Sequence, residues 1–312
     1  MEGVKVARID VFEDYGVSRS KNLARRGFGR ERGNSVLLHP VEVAYLSTKG
    51  CSVYLNEKKL NITEILKWCF KKKENTLLFF VFSDLRNRGR KIKVEENFIV
   101  GNEIFVPISE RDFVDFREIV GRKFNLAIVD EEGDVTYYKH SEWNCVGRHR
   151  ENIKPFDGVF AGDRVLTCNK EIFEKFFYGS MNDGIVNLSL VEAVYLAEKG
   201  LLKLDVSNEK LKYTARQMEK KFEERYAVYR DLKDRGFVVK TGFKFGSDFR
   251  VYEKVENLRD LPHSKYLVKV AERIRASELA SHVRVARAVR KKMVFCFDIK
   301  GLRYICIERI KV

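Results

Sequence analysis

The sequence predicts a mixed α/β fold, α+β in character, made of two tandem repeats of one α/β unit. Each unit has an N-terminal helix-and-strand subdomain and a C-terminal α/β subdomain. Three observations predict it. The chain has 312 residues, 45% of them apolar, which is long for one domain and enough for two with a sizeable core. Helical stripes give way to alternating strand patterns. Residue pairs also recur at matching spacing: Val41-Glu42, Tyr45-Leu46 and Lys49-Gly50 line up with Val191-Glu192, Tyr195-Leu196 and Lys199-Gly200, and Asp84-Leu85 and Arg88-Gly89 with Asp231-Leu232 and Arg235-Gly236. Two copies argue for duplicated domains, because a solenoid needs more units to bury its core.

Gly27-Phe28-Gly29 and Arg32-Gly33-Asn34 mark turns, and a short helix starts at Pro40, which suits the first helical position, and ends at Gly50. Residues 61–88 read as one longer amphipathic helix, with Ile62, Ile65, Cys69, Leu77, Phe80 and Leu85 on one stripe and Gly89 closing it. Strands follow to about Tyr138. The polar stretch 142–157, holding Gly147 and Pro155, divides a first repeat (1–150) from a second (151–312). There, Ser189 and Glu192 form a capping box. A long helix from about Glu209 buries Leu211, Ala215, Met218, Phe222, Tyr229 and Leu232.

The last quarter reads as the strand Asp248-Phe249-Arg250-Val251-Tyr252, a polar loop to Leu261-Pro262-His263-Ser264, a second strand, and a helix carrying Lys291. Ser277 is its expected cap and Glu278 lies in its first turn. At about 100° per residue, Arg284, Arg287 and Lys291 share one face, and Leu279, Val283 and Ala286 the other. Residues 293–297 and 303–307 are strands expected to pair across an interface, and Asp298-Ile299-Lys300-Gly301 is their turn.

The net charge of +15 suggests a polyanionic partner. Residues 241–312 hold 17 Lys and Arg against 8 Asp and Glu, so most of the excess lies there. The six cysteines form no CxxC pair and no zinc spacing, and read as buried free thiols, although Cys296 and Cys306 flank a hairpin and could approach one another. No apolar signal core opens the chain, and the longest apolar run, Leu77 to Phe82, is too short to span a bilayer. The expectation is a soluble, cytoplasmic protein with no membrane partner.

Tyr252, His263 and Lys291 bring a phenol, an imidazole and an ammonium from three elements. Alone, each has a plainer reading: a packing tyrosine, a solvated histidine, one cation of many. Comparing the copies sharpens the set, because Gly101 sits opposite Tyr252 and Ile108 opposite His263, while Arg122-Lys123 keeps the pair at Arg290-Lys291. One active unit and one scaffold unit are therefore expected, with a nuclease-like C-terminal subdomain in each. The trio suits cleavage of RNA through its own 2′-hydroxyl. Histidine delivers a proton to the leaving 5′-oxygen and lysine stabilises the developing anion. Tyrosine is a poor base at a reference pKa of about 10 and needs nearby cations such as Arg250. This scheme calls for no metal and no cofactor.

At these residues the sequence resembles the archaeal tRNA-splicing endonucleases, in the homodimeric form whose chain holds two fused repeats. The likeness runs through Leu38-His39-Pro40-Val41-Glu42, Tyr229-Arg230-Asp231-Leu232, Arg235-Gly236-Phe237, the stretch from Lys244 to Tyr252, Leu261-Pro262-His263-Ser264 and Glu308-Arg309-Ile310-Lys311-Val312. It implies that Tyr252, His263 and Lys291 are the catalytic triad of an enzyme that excises introns from precursor tRNA. It would cut a bulge-helix-bulge element at both junctions without a metal, leaving 2′,3′-cyclic phosphate and 5′-hydroxyl ends. It also implies that Arg284 and Arg309 sandwich a flipped bulge base, with Arg287 a further RNA contact; phosphate contact and a surface charge are their plainer readings. The acidic run Asp130, Glu131, Glu132 and Asp134 would dock into a basic groove of the partner subunit in a homodimer, where a solvated hairpin tip is the plainer reading. Two alternatives stand beside this one: a noncatalytic RNA-binding or structural subunit, and a metal-dependent nuclease.

Overall fold

The computed structural model describes residues 7–255 and 264–312. Each repeat opens with a small sheet: six strands within residues 8–59 in the first and five within 156–204 in the second. Against each packs one buried helix, α1 (Pro40–Thr48) and later α5 (Leu190–Glu198). Ser189 and Glu192 make the expected capping box, and His39 and Glu42 make the same box in the first repeat. Both glutamates also reach back thirteen residues, accepting hydrogen bonds from the backbone N–H of Gly29 and of Gly179. Each capping carboxylate thus ties a preceding loop to the helix it starts.

The helix expected over 61–88 is two helices, α2 (Ile62–Cys69) and α3 (Glu74–Asn87). The break falls at Lys71-Lys72-Lys73, and the buried Asn75 amide donates to the freed carbonyl of Cys69 at 2.6 Å. Ile62 and Phe80, expected on the buried stripe, are exposed, because the break turns each short helix separately onto the core. The second repeat breaks at the same place into α6 (Asn208–Met218) and α7 (Phe222–Asp234), which leaves Met218 outside. Gly89 and Gly236 follow α3 and α7 with φ of 84° and 82°, the left-handed turn that glycine makes most easily. Among the described residues no helix is long and apolar enough to cross a membrane.

The two C-terminal subdomains share one ten-stranded sheet. The first supplies β1 (Lys93–Glu95), β2 (Phe98–Val100), β3 (Ile104–Ser109), β5 (Asn125–Val129) and β6 (Val135–Glu142), with β4 (Phe113–Asp115) outside the sheet. The second supplies β7 (Val238–Thr241), β8 (Phe249–Tyr252), β9 (Tyr266–Val270), β11 (Lys292–Asp298) and β12 (Leu302–Ile310), with β10 (Arg273–Arg275) outside. The order is β7-β8-β9-β11-β12-β6-β5-β3-β2-β1. α3 and α7 cover one face; α8 (Ala276–Ala288) and the short α4 (Phe116–Ile119) cover the other. Burial on both faces explains the unbroken apolar run Met293-Val294-Phe295-Cys296-Phe297.

Residues 293–297 and 303–307, expected to pair across an interface, pair within the chain instead. β11 lies inside the sheet, and β12 pairs antiparallel with β6 of the same chain, Lys139 opposite Glu308. A second seam pairs β4 with β10, Val114 opposite Ile274. Ser277 is not the cap of α8, because Arg275 holds that position without a side-chain bond. The first N–H groups of the helix, on Ala276 and Ser277, donate instead to the carbonyls of Asp112 and Glu110 at 2.8 and 2.9 Å. The first repeat therefore caps the helix of the second, and unpaired, each such buried group would cost about 1–3 kcal/mol. The cysteines are all free; Cys296 faces Tyr304 and Cys306 faces Val294, so the two are not opposite each other. Asp298 closes the hairpin turn as expected, accepting from the N–H of Gly301 at 3.0 Å.

Candidate active site

Strand register gathers the site at one end of the sheet. β8 runs antiparallel to β9, so its last residue, Tyr252, lies at the end where β9 begins. β9 runs parallel to β11, with Tyr266 opposite Lys292, so Lys291 arrives at the same end. The backbone is stitched across these ends: Lys265 N–H donates to Val251 O, and Lys292 N–H to Lys265 O. Neighbouring strands are about 4.8 Å apart, which puts Tyr252 and Lys291 about 10 Å apart at the backbone. His263 lies outside the described residues; its neighbour Ser264 is buried, and its carbonyl accepts from Lys291 Nζ at 3.0 Å.

Lys291 is not on the helix. α8 ends at Ala288, and Arg290 takes the left-handed conformation with φ of 56°. Arg290 N–H then donates to Arg287 O, and Lys291 N–H to Ala286 O. This closing motif normally carries glycine, and holding an arginine there costs about 1–3 kcal/mol of strain, a cost that tends to gather at functional sites. It fixes where the Lys291 side chain departs. The ammonium lies 5.9 Å from the Phe245 ring centre, as does the guanidinium of Arg250. Partial burial and then the Arg250 charge push the Lys291 pKa below its ordinary value. Tyr252 is nearly buried, packed with Phe177, Val238 and Val255. The two-residue period of a strand puts Arg250 and Tyr252 on one face of β8, and Phe249 and Val251 on the buried other.

A cleft of about 330 Å³ is lined by Lys291, Arg287, Arg290 and Arg309. It shares Val283, Arg287 and Arg309 with a larger one of about 910 Å³, lined by Arg284 and by Tyr138 of the first repeat. Burial raises the pKa of Tyr138 while Arg309 and Arg284 pull it down, and all three residues line the larger cleft. The seam β6–β12 sets this, with Tyr138 opposite Arg309. As expected, Leu279, Val283 and Ala286 are buried and Arg284 and Arg287 exposed. Sequence reading missed Tyr138, which joins the groove only through pairing between repeats, and Phe245.

Register also revises the comparison between copies. Val251 pairs with Tyr266, which pairs with Lys292; in the first repeat Ile99 pairs with Phe105, which pairs with Asn125. Val100 therefore answers to Tyr252 and Phe124 to Lys291, each one residue from the match expected at Gly101 and Lys123. Ile108 does not replace His263. It lies within β3, where it answers to Lys269. The connection 253–265 has thirteen residues and its counterpart 101–103 only three, so His263 has no equivalent.

The acidic run forms the tip between β5 and β6. Asp130 is a turn residue, its carboxylate accepting from the N–H groups of Glu132 and Asp134 at 3.0 and 2.9 Å. Glu131 meets Arg111 at 2.9 Å, an exposed pair. Elsewhere, a cleft of about 540 Å³ in the second repeat is lined by Lys220, Lys221, Arg225, Lys269 and Arg273 and by Glu219, Asp248 and Glu278, with Asp248 paired to Arg225 at 3.1 Å and to Lys269 at 3.6 Å.

Comparison with known proteins finds two sequence matches inside the second repeat. Residues 222–302 match the tRNA intron endonuclease catalytic C-terminal domain, and 156–215 the tRNA intron endonuclease N-terminal domain. Over nearly full length the chain is similar to the tRNA-splicing endonuclease of Methanosarcina acetivorans, 34% identical over 91% of this chain and 93% of that protein. The namesake proteins of Methanosarcina mazei (34%, over 91% and 92%) and Haloarcula marismortui (32%, over 94% and 95%) are similar to it as well.

Proposed function

Because the chain belongs to the tRNA-splicing endonuclease family, an archaeal family of endoribonucleases, we propose that it excises introns from precursor tRNA by cutting a bulge-helix-bulge element at both exon–intron junctions. Residues 151–312 carry the chemistry and 1–150 serve as scaffold. At each junction the 2′-hydroxyl gives up its proton toward Tyr252 and attacks the adjacent phosphorus. His263 gives a proton to the departing 5′-oxygen, and Lys291 stabilises the charge on the phosphorane between them. The products are a 2′,3′-cyclic phosphate and a 5′-hydroxyl, and no metal takes part. Arg284 and Arg309 stack on an unpaired bulge base and Arg287 contacts phosphate.

The observation that carries this reading is the meeting of Tyr252, the Ser264 flank of His263 and Lys291 at one sheet end, beside a cleft lined by Arg287, Arg290 and Arg309. One active unit per chain and two cuts per substrate call for a symmetric pair of chains. The acidic tip of one protomer would dock on the partner's cleft, where five cations outnumber the carboxylates of Glu219, Asp248 and Glu278. Purified protein with a bulge-helix-bulge RNA in EDTA tests the proposal: it cleaves, and His263→Ala abolishes cleavage while still binding the RNA. Binding without cleavage by the parent would leave a noncatalytic subunit, and activity lost in EDTA a metal-dependent nuclease.

A further inference from the structure

Phe243 is 86% exposed, more than any other large apolar side chain among the described residues. A single exposed apolar residue needs no explanation in itself. Its setting supplies one. It sits in the connection between β7 and β8, which has seven residues, 242–248, where the first repeat closes the equivalent hairpin with the two-residue turn Glu96-Asn97. The lengthening is confined to the repeat that carries Lys291.

The connection is ordered by its own hydrogen bonds. Residues Phe243–Phe245 form one turn of 3₁₀ helix, Gly242 N–H donates to Asp248 O, and Phe245 N–H to Gly242 O. At Gly242 a Cβ would come within 2.7 Å of Ser247 O, and Gly246 has φ of 65°, so glycine is needed at both ends. Arg250 Nε donates to Thr241 O at 2.9 Å, tying the base of the loop to β8. Phe245 turns inward, where Lys291 and Arg250 approach its ring. Two residues away, at most about 7 Å along the backbone, Phe243 is held outward beside the exposed Lys244. A rigid apolar ring among cations fits a flat, unpaired base on a polyanionic chain, because stacking takes the base face while the cations take the phosphates.

We propose that Phe243 is a stacking platform for an unpaired base of the substrate RNA near the phosphate that is cut, and so a positioning residue of the reaction. This rests on the endoribonuclease reading. The test measures binding of a bulge-helix-bulge RNA with 2′-deoxy nucleotides at both cuts, so that affinity is read without cleavage. Phe243→Ala loses affinity about 5- to 150-fold, the range for one base–aromatic stack, and Phe243→Tyr and Phe243→Trp restore it. The indole of Phe243→Trp is quenched by the RNA, against a background of Trp68 and Trp143, both buried. Removing single bulge bases as abasic sites finds one position where the parent loses affinity and Phe243→Ala loses nothing further. Parent-like binding by Phe243→Ala, or a loss shared by the tyrosine variant, overturns the proposal. Loss of the dimer in sedimentation would make the ring a contact between copies instead. A parent that binds no such RNA removes the functional reading and this inference together, whereas a parent that cuts with an unaffected Phe243→Ala removes this inference alone.

Discussion

The lysine at the sheet end is placed by backbone and tuned by surroundings. Its ammonium donates to Ser264 O; partial burial and then the Arg250 charge make it lose its proton below the ordinary lysine value of 10.5. Folding lowers this pKa, so Lys291 costs stability below its folded pKa, and that cost fades as pH rises through that value toward 10.5. Activity that needs the ammonium runs the other way. The alkaline limb of the rate profile should fall below 10.5, and Arg250→Leu should move it upward by removing one cause of the shift; a limb that stays put would show that the limb reports another group. Lys291→Ala should cost about 10²–10³ in rate, the size expected for a lost charge-stabilising donor, with RNA affinity little changed. These residue types were legible in sequence, but not the setting of Lys291: nothing in the string says that an arginine takes a left-handed turn before it, or that Phe245 folds under it.

Among elements, the two capping glutamates repeat one device. Glu42 is fully buried, and burial pushes its carboxyl up to about 7 despite bonds from the N–H groups of Gly29 and His39. A raised carboxyl favours the folded state at low pH, so this contribution falls as pH climbs from about 4.5 to about 7. Glu42→Ala and Glu192→Ala each strand two backbone donors and should destabilise by about 1–4 kcal/mol in urea denaturation, with glutamine recovering part of the loss. Equal midpoints for parent and alanine variants would mean that water satisfies those donors. The capping box of α5 was legible because Ser189 and Glu192 stand three apart; that of α1 was not, because His39 is an unusual cap. The breaks between α2 and α3 and between α6 and α7 were missed because the apolar period runs through them, while Asn75 satisfies the freed carbonyl.

At the level of the whole molecule, the seam at β6–β12 joins the repeats into one sheet, β4–β10 pairs them a second time outside it, and loop carbonyls of the first repeat cap α8 of the second. Both edges of β12 are spent inside the chain, so it offers no edge to a second copy. In the proposed pair of chains the acidic tip docks on the cleft of Lys220, Lys221, Arg225, Lys269 and Arg273, where these cations outnumber Glu219, Asp248 and Glu278. Glu131→Lys, Glu132→Lys and Asp134→Lys combined should give monomers in sedimentation at moderate salt. Asp130 is left in place because it closes the turn, and reversing it would disturb the hairpin itself. A triple variant that remains dimeric would free the tip from that role. For the proposed dimer, screening predicts weaker association as salt rises.

The sequence by itself determined the duplication, the mixed α/β class, the basic last quarter and the residue types of the candidate site. These are local signals: spacing, composition and charge survive in a string. The tertiary structure decided register and sidedness. Only strand pairing could say that Val100 and Phe124 answer to Tyr252 and Lys291, that His263 falls in an insertion the first repeat lacks, and that Tyr138 faces Arg284 and Arg309. Those facts depend on hydrogen bonds between residues far apart along the chain, and no local pattern encodes which strand lies beside which.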